Sequence, residues 1–175
     1  MSEYALQNRI VEMLQSGSAE WQKIRILNST SPDVATVADL IGSIEFDEPR
    51  IEKPFKTRDT SLSVHTFGSQ KPDIALVSKI SGQIRVLIEV KLATKSTHKE
   101  LDASQFVRNL LYLLAATEPR PRDKTDIRRA VLVAAPDAWF ENTTKSHHWT
   151  HLVQQYGGLA KAFQITLGEI RTDQL

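Results

Sequence analysis

The sequence predicts a domain of the α/β or α+β class, because short apolar strands are followed by longer amphipathic helices. Two runs rich in Ile, Val and Leu, Ile74–Val77 and Ile84–Val90, flank a Ser-Gly turn and are typical of a β-hairpin. A third run, Ala130–Ala135, has the composition of a fully buried strand. The helical periodicity between hairpin and third run predicts a crossover, which permits a parallel neighbour for the hairpin.

Composition fits one compact unit spanning residues 1–175. The chain is 41% hydrophobic, enough to bury one core. It has no cysteine, which excludes a disulfide framework and thiolate chemistry. The N-terminus lacks the apolar run of a secretion signal and no stretch is long enough to span a membrane, so a cytoplasmic location is expected. The net charge of +1 does not by itself indicate a nucleic-acid partner.

The first half of the chain is predicted to hold two helices and one further strand. Apolar residues at helical spacing predict a helix over Glu3–Gln15. Ser31 as N-cap and Pro32 at the first helical position predict the start of a second helix. The charged, Pro-broken segment 45–59 is interpreted as a loop or irregular edge. The alternating segment Ser61–Phe67 is expected to be the first strand before the hairpin.

The second half is predicted to alternate helices and strands. Lys99–Ala116 reads as a helix with an apolar stripe, and its polar face carries Gln105, Arg108, Asn109 and Tyr112. A helix over Trp149–Phe163 and a final edge strand over Phe163–Ile170 are expected.

Three histidines precede or enter the last predicted helix. His147 and His151 are four residues apart, as in helical metal-binding pairs, but Thr143–His148 is interpreted as an exposed connection. Solvated histidines are favoured, so His147, His148 and His151 are not assigned as ligands.

Charged residues gather at the open end of the hairpin. Asp73 begins one strand, while Glu89 and Lys91 end the other and project to the same side because side chains alternate along a strand. In the obvious register Asp73 lies beside Glu89. Burying two carboxylates together is costly without a cation or specific hydrogen bonds. The pattern predicts a carboxylate pair that a cation or a hydrogen-bond network must compensate, whereas a hairpin with solvated charged ends is the ordinary alternative.

Pro72-Asp73, followed fifteen residues later by Glu89-Val90-Lys91, resembles the signature of the PD-(D/E)XK nuclease superfamily. The resemblance is concentrated in about two dozen residues, 71–94, with weaker support from the neighbouring helices. It implies a restriction-endonuclease-like core of order α-β-β-β-α-β, with a mixed central sheet flanked by helices. The element pattern around the first helix and the helix of Gln105 resembles that of restriction-type and related defence or mobile-element nucleases, type I restriction-subunit domains among them.

The resemblance also implies roles for individual residues. Asp73, Glu89 and the Val90 carbonyl would bind Mg²⁺, for which Mn²⁺ can substitute, and Glu3 of the first helix is a further candidate ligand. Lys91 would orient a water molecule or stabilise developing negative charge. Gln105 fits the glutamine that relatives carry on the following helix. Tyr112 follows seven residues later, where some relatives place a tyrosine at four.

The function expected from these residues is metal-dependent hydrolysis of phosphodiester bonds, with DNA favoured as substrate and Lys95 and Arg108 contacting it. A non-catalytic module that reuses the fold to bind nucleic acid or a protein is the alternative. The sequence has no room for a large separate targeting domain, so specificity is expected to come from a homodimer, from loops or from a partner subunit.

Overall fold

The computed structural model describes residues 2–42, 50–51, 72–79, 81–93, 99–115 and 127–175. The helices and strands follow in the order α1 (Glu3–Gln15), α2 (Ser18–Trp21), α3 (Val37–Ile41), β1 (Arg50–Ile51), β2 (Ile74–Val77), β3 (Ile84–Val90), α4 (Lys99–Ala115), β4 (Arg129–Ala135), α5 (Asp137–Glu141), α6 (Thr143–Ala162), β5 (Ile165–Arg171) and a 3₁₀ turn (Thr172–Gln174). The predicted α/β class, with a mixed sheet flanked by helices, is confirmed.

The strands form one sheet in the order β1-β2-β3-β4-β5. The two-residue β1 and the predicted hairpin partners β2 and β3 run antiparallel. β3, β4 and β5 run parallel, because α4 and then α5 and α6 carry the chain back across the sheet between them. The carboxyl ends of these three strands therefore meet at one edge of the sheet.

Helices cover both faces of the sheet, so almost every residue of the central strands is buried. On one face, α1, α2 and α3 pack against alternate strand residues such as Ile88 and Leu132. On the other, α4, α5 and α6 pack against Leu87, Val131 and Leu167. Phe106 of α4 and Trp149 of α6 meet edge to face with ring centroids 5.3 Å apart, which joins the two long helices of this second face.

The predicted edge strand β5 lies at the end of the sheet, and its own edge is covered by a segment from the N-terminal part of the chain. Leu27 exchanges backbone hydrogen bonds with Glu169, at 2.8 and 2.9 Å. Gly168 permits this close approach, since a Cβ atom there would lie 2.4 Å from the Ile26 side chain. Burial therefore continues without alternation from Ile165 to Ile170.

The second helix begins later than predicted. Ser31 and Pro32 do not start it; instead, Thr36 and Asp39 form a capping box at the start of α3. The hydroxyl of Ser31 is engaged elsewhere, 2.8 Å from that of Thr166 on β5. The segment before α3 therefore packs against β5 at the edge of the sheet. This contact is between residues far apart in the chain, so local capping signals do not predict it.

The last helix begins earlier than predicted. Thr143–His148, interpreted as an exposed connection, forms its first turns, because the Asn142 side chain accepts hydrogen bonds from the backbone of Thr144 and Lys145. Other predicted bounds agree closely, with Glu3–Gln15 as α1 and Lys99–Ala115 as α4. The strand expected over Ser61–Phe67 lies outside the described residues. No helix in the described part of the chain has the length and apolar character needed to cross a membrane.

Candidate active site

The sheet topology brings the predicted catalytic residues to one edge. Glu89 lies near the carboxyl end of β3, and Lys91 directly follows that strand. Ile74 pairs with Ile88, so Asp73 at the start of antiparallel β2 falls opposite Glu89. The helix α4 begins at this same edge because it follows β3, and two of its side chains reach the site. We call Asp73, Glu89, Lys91, Gln105 and Asn109 the carboxylate corner.

The two carboxylates are joined through the backbone of β3. The Val90 N–H donates a hydrogen bond of 2.6 Å to Asp73 Oδ2. Both acids are buried, Asp73 with 9% and Glu89 with 1% of its surface exposed. Two carboxylates thus share a nearly dry site, where two like charges are costly without compensation.

The corner strongly disfavours a charged Glu89. Burial, then the charge of Asp73 and, least, a direct side-chain interaction with Asp73 raise the pKa of the Glu89 carboxyl to about 8, against the opposing effects of Lys91 and of the Asn109 hydrogen bond. Among the described residues, Oε2 of Glu89 has no hydrogen-bond partner, and Lys91 Nζ lies 3.8 Å from it. A buried carboxylate oxygen without a donor is the atom of this site most in need of a cation.

Lys91 is held in place by α4. Its ammonium donates a hydrogen bond of 3.0 Å to Gln105 Oε1, and its side chain is 11% exposed. The nitrogen also lies 6.0 Å from the centre of the Phe106 ring. Gln105 of α4 therefore contacts Lys91 at the corner, and its catalytic role stays a prediction.

Asn109 belongs to the corner, which sequence reasoning missed. It was placed on the polar outer face of α4, but it is buried and its side-chain N–H donates a hydrogen bond of 2.8 Å to Glu89 Oε1. Tyr112, assigned to the same face, is also buried. The helix points these residues inward because α6 and the sheet cover more of α4 than a single apolar stripe indicates. A signal existed, since Asn109 follows Gln105 by four residues and so shares its helix face.

A second buried glutamate lies in the same row of the sheet. Glu89 pairs with Val133, which in turn pairs with Glu169 of β5. Here Trp149 Nε1 donates to Oε1 at 3.0 Å. Asn28 and Arg171 donate to Oε2 at 2.9 and 2.8 Å. We call Glu169 with these three donors the Glu169 network; sequence reasoning missed it, because Asn28 and Trp149 are 141 and 20 residues away from Glu169.

The remaining predicted residues are less closely tied to the corner. Glu3 is exposed on the first turn of α1, which packs on the opposite face of the sheet from Glu89. Arg108 is half-buried on α4. Lys95 lies outside the described residues. The metal role of Glu3 and the nucleic-acid roles of Arg108 and Lys95 stay predictions.

The donor set of the corner fits a hard divalent cation such as Mg²⁺. Carboxylate and carbonyl oxygens are its preferred ligands, and Asp73, Glu89 and the Val90 carbonyl can offer them. The described residues contain no group of three or more His, Cys, Asp or Glu side chains arranged around one ion. His147 and His151 stack with ring centroids 6.1 Å apart but have no third such ligand in this part of the chain. Backbone oxygen and water would therefore have to complete any shell at the corner.

Comparisons with protein-family models, with curated proteins and with solved structures found no match to this chain. The resemblance to PD-(D/E)XK nucleases thus rests on the residues of the corner themselves.

Proposed function

We propose that this chain is a divalent-metal-dependent nuclease, with DNA as the favoured substrate, and that the carboxylate corner is its active site. The observation that carries the proposal is the state of Glu89. It is buried beside Asp73, its pKa is raised to about 8, and one of its oxygens has no donor among the described residues. A bound cation would relieve both the like-charge repulsion and the missing interaction.

Each side chain of the corner has a distinct task in this proposal. Asp73 and Glu89, with the Val90 carbonyl, would hold Mg²⁺ or Mn²⁺. Such an ion lowers the pKa of bound water and polarises a phosphoryl oxygen. Asn109 fixes Oε1 of Glu89 and leaves Oε2 as the oxygen available to a ligand.

Lys91 supplies positive charge beside the carboxylates. Its ammonium can donate to a phosphoryl oxygen as negative charge develops there, or orient the attacking water. Gln105 limits the positions of this ammonium by accepting one of its N–H groups. A pre-positioned donor needs little rearrangement during the reaction, which is the main benefit of such electrostatic stabilisation.

The test is a cleavage assay on labelled single- and double-stranded DNA and RNA, with Mg²⁺, Mn²⁺ or EDTA. We expect metal-dependent cleavage by the wild type and loss of about a thousandfold or more in Glu89→Ala, because a metal ligand is removed. Lys91→Met should also abolish cleavage but leave metal binding largely intact. Cleavage that persists in EDTA, or in Glu89→Ala, would place the activity elsewhere.

A non-catalytic binding module is the competing outcome of the same assay. Such a module would bind nucleic acid without metal-dependent cleavage, and its binding would not respond to the metal. The corner argues for the enzyme, because a binding module has no use for a buried carboxylate pair beside a lysine.

One corner per chain further suggests that cutting both strands of a duplex needs a two-fold dimer or a partner subunit. Light scattering in the presence of duplex DNA measures whether the protein is a monomer or a dimer on its substrate. Efficient double-strand cleavage by a strict monomer would contradict it.

A further inference from the structure

The helix α6 carries no acidic residue. The sequence has 21 Asp and Glu in 175 residues, yet none lies between Glu141 and Glu169. The same interval holds Lys145, Lys161 and the three histidines. An acid-free helix of 20 residues is therefore set within a chain that is close to neutral overall.

The exposed side of this helix forms a continuous polar row. Residues three and four apart share one helix face, and such spacing runs from residue 144 to residue 155. We call this row the α6 stripe; its members are Thr144, His147, His148, His151, Gln154 and Gln155, of which His148 is half-buried and the others exposed. Each side chain has an O–H or N–H group that can donate to an anion, and none carries negative charge.

The start of the α6 stripe lies at the same edge of the sheet as the carboxylate corner. α6 follows the carboxyl end of β4 and returns toward the start of parallel β5, so its first turn lies where Glu89 and Lys91 lie. A direct contact confirms this, because the Lys145 ammonium donates to the backbone carbonyl of Ala93, two residues after Lys91. The stripe then extends away from the corner for about 16 Å, at a rise of about 1.5 Å per residue.

We propose that the α6 stripe binds the sugar–phosphate backbone of DNA and guides it to the carboxylate corner. Neutral hydrogen-bond donors in a row can contact phosphate oxygens, and such contacts position a nucleic acid without reading its sequence. The absence of acidic side chains removes the repulsion that a solvated, mixed-charge helix face would impose. This inference rests on the proposed nuclease function only for the identity of the substrate.

The first experiment adds negative charge to the stripe and, in a matched control, to the other side of the molecule. His147→Glu/His151→Glu places two carboxylates on the stripe. Gln15→Glu/Gln22→Glu places two on exposed positions of α1 and just after α2, which cover the opposite face of the sheet. All four sites are exposed, and circular dichroism with thermal melting checks that both variants fold.

Binding is measured by fluorescence anisotropy with a labelled 20-base-pair DNA duplex in EDTA, so that cleavage cannot interfere. We expect the stripe variant to bind at least about tenfold more weakly and the control to change less than about twofold. Equal weakening in both variants, an unchanged stripe variant, or a wild type that binds no duplex would overturn the inference.

A gain-of-charge pair tests the same surface in the other direction. Gln154→Lys should tighten binding about two- to fivefold and steepen the dependence of log K on log salt by roughly one, as expected for one added phosphate contact. Gln15→Lys should do neither. Equal effects of the two lysines would show that only net charge matters and would overturn the assignment to α6.

Cleavage in Mg²⁺ separates this inference from the proposed function. A wild type that binds duplex through the stripe but does not cleave would contradict the nuclease and leave the surface standing. A wild type that cleaves, with unaltered binding in the stripe variant, would contradict the surface alone.

Discussion

Two buried glutamates in one row of the sheet have opposite surroundings. Glu89 and Glu169 are each paired with Val133, so they are separated by one strand, at roughly 10 Å. Glu169 receives donors on both oxygens, one of them the charged Arg171. Glu89 receives one donor and faces a second carboxylate. Burial alone therefore does not distinguish the two acids; the incomplete hydrogen bonding of Glu89 does.

The difference follows from what each glutamate contributes to the fold. The Glu169 network joins β5 to α6 and to the segment around Asn28, so its hydrogen bonds stabilise the edge of the sheet. The carboxylate corner joins β2, β3 and α4 but leaves Glu89 Oε2 with no hydrogen-bond partner among the described residues, its nearest cation being Lys91 Nζ at 3.8 Å. We infer that the network is structural and that the corner is kept incomplete for a ligand.

The largest expected effect is on stability at Glu169. Glu169→Gln removes the ion pair with Arg171 and turns an amide N–H toward donors, so unfolding free energy should fall by about 3 kcal/mol. Urea denaturation without divalent ions measures it, with the isosteric Glu89→Gln as the matched variant. Equal destabilisation by the two substitutions would erase the proposed distinction.

The next prediction concerns the packing of the segment around Ile26 against β5, next to Glu169. Gly168→Ala places a Cβ atom 2.4 Å from the buried Ile26 side chain, which must move together with the segment leading to Asn28. Such overpacking costs about 1–3 kcal/mol, and calorimetric melting should show it. A variant as stable as the wild type would mean that the Ile26 segment can move away from β5 without cost. The Glu169 network would then not depend on this close packing.

At Glu89 the expected stability effect depends on pH. Its folded pKa of about 8 lies above the usual glutamate pKa of 4.5, so the metal-free folded state binds more protons than the unfolded state between these values. Stability of the metal-free wild type should therefore fall as pH rises from about 4.5 to 8, through ionisation of this group. Glu89→Gln should gain relative to wild type over the same window. A constant difference between the two proteins across it would contradict the raised pKa.

The smallest effect concerns Asn109. Asn109→Leu keeps the branched shape of the side chain but removes the donor that holds Glu89 Oε1, so Mn²⁺ affinity should weaken about three- to tenfold, roughly the net value of one ordinary hydrogen bond. Titration monitored by the EPR signal of free Mn²⁺ measures it. Unchanged affinity would show that Asn109 only fills space.

The sequence predicted the hairpin and the placement of Asp73, Glu89 and Lys91, because these depend on strand periodicity and on a short turn. Predictions from the sequence were wrong where contacts between residues far apart in the chain determine the position of a side chain. Ser31 looked like an N-cap but binds β5, and Asn109 looked solvent-exposed but reaches Glu89. The Glu169 network could not be predicted, since Asn28 and Glu169 are 141 residues apart and no local pattern connects them.

Binding of Mn²⁺ in the absence of nucleic acid tests the carboxylate corner most directly. Calorimetric titration at pH 7 in buffers of different ionisation enthalpy gives both the affinity and the protons released. We predict that the wild type binds Mn²⁺ and releases about one proton per ion, because Glu89 must ionise to ligate. Glu89→Gln should lose this binding, whereas Gln15→Glu/Gln22→Glu should retain it. A wild type that binds no ion, or a Glu89→Gln variant that binds equally well with the same proton release, would contradict the account.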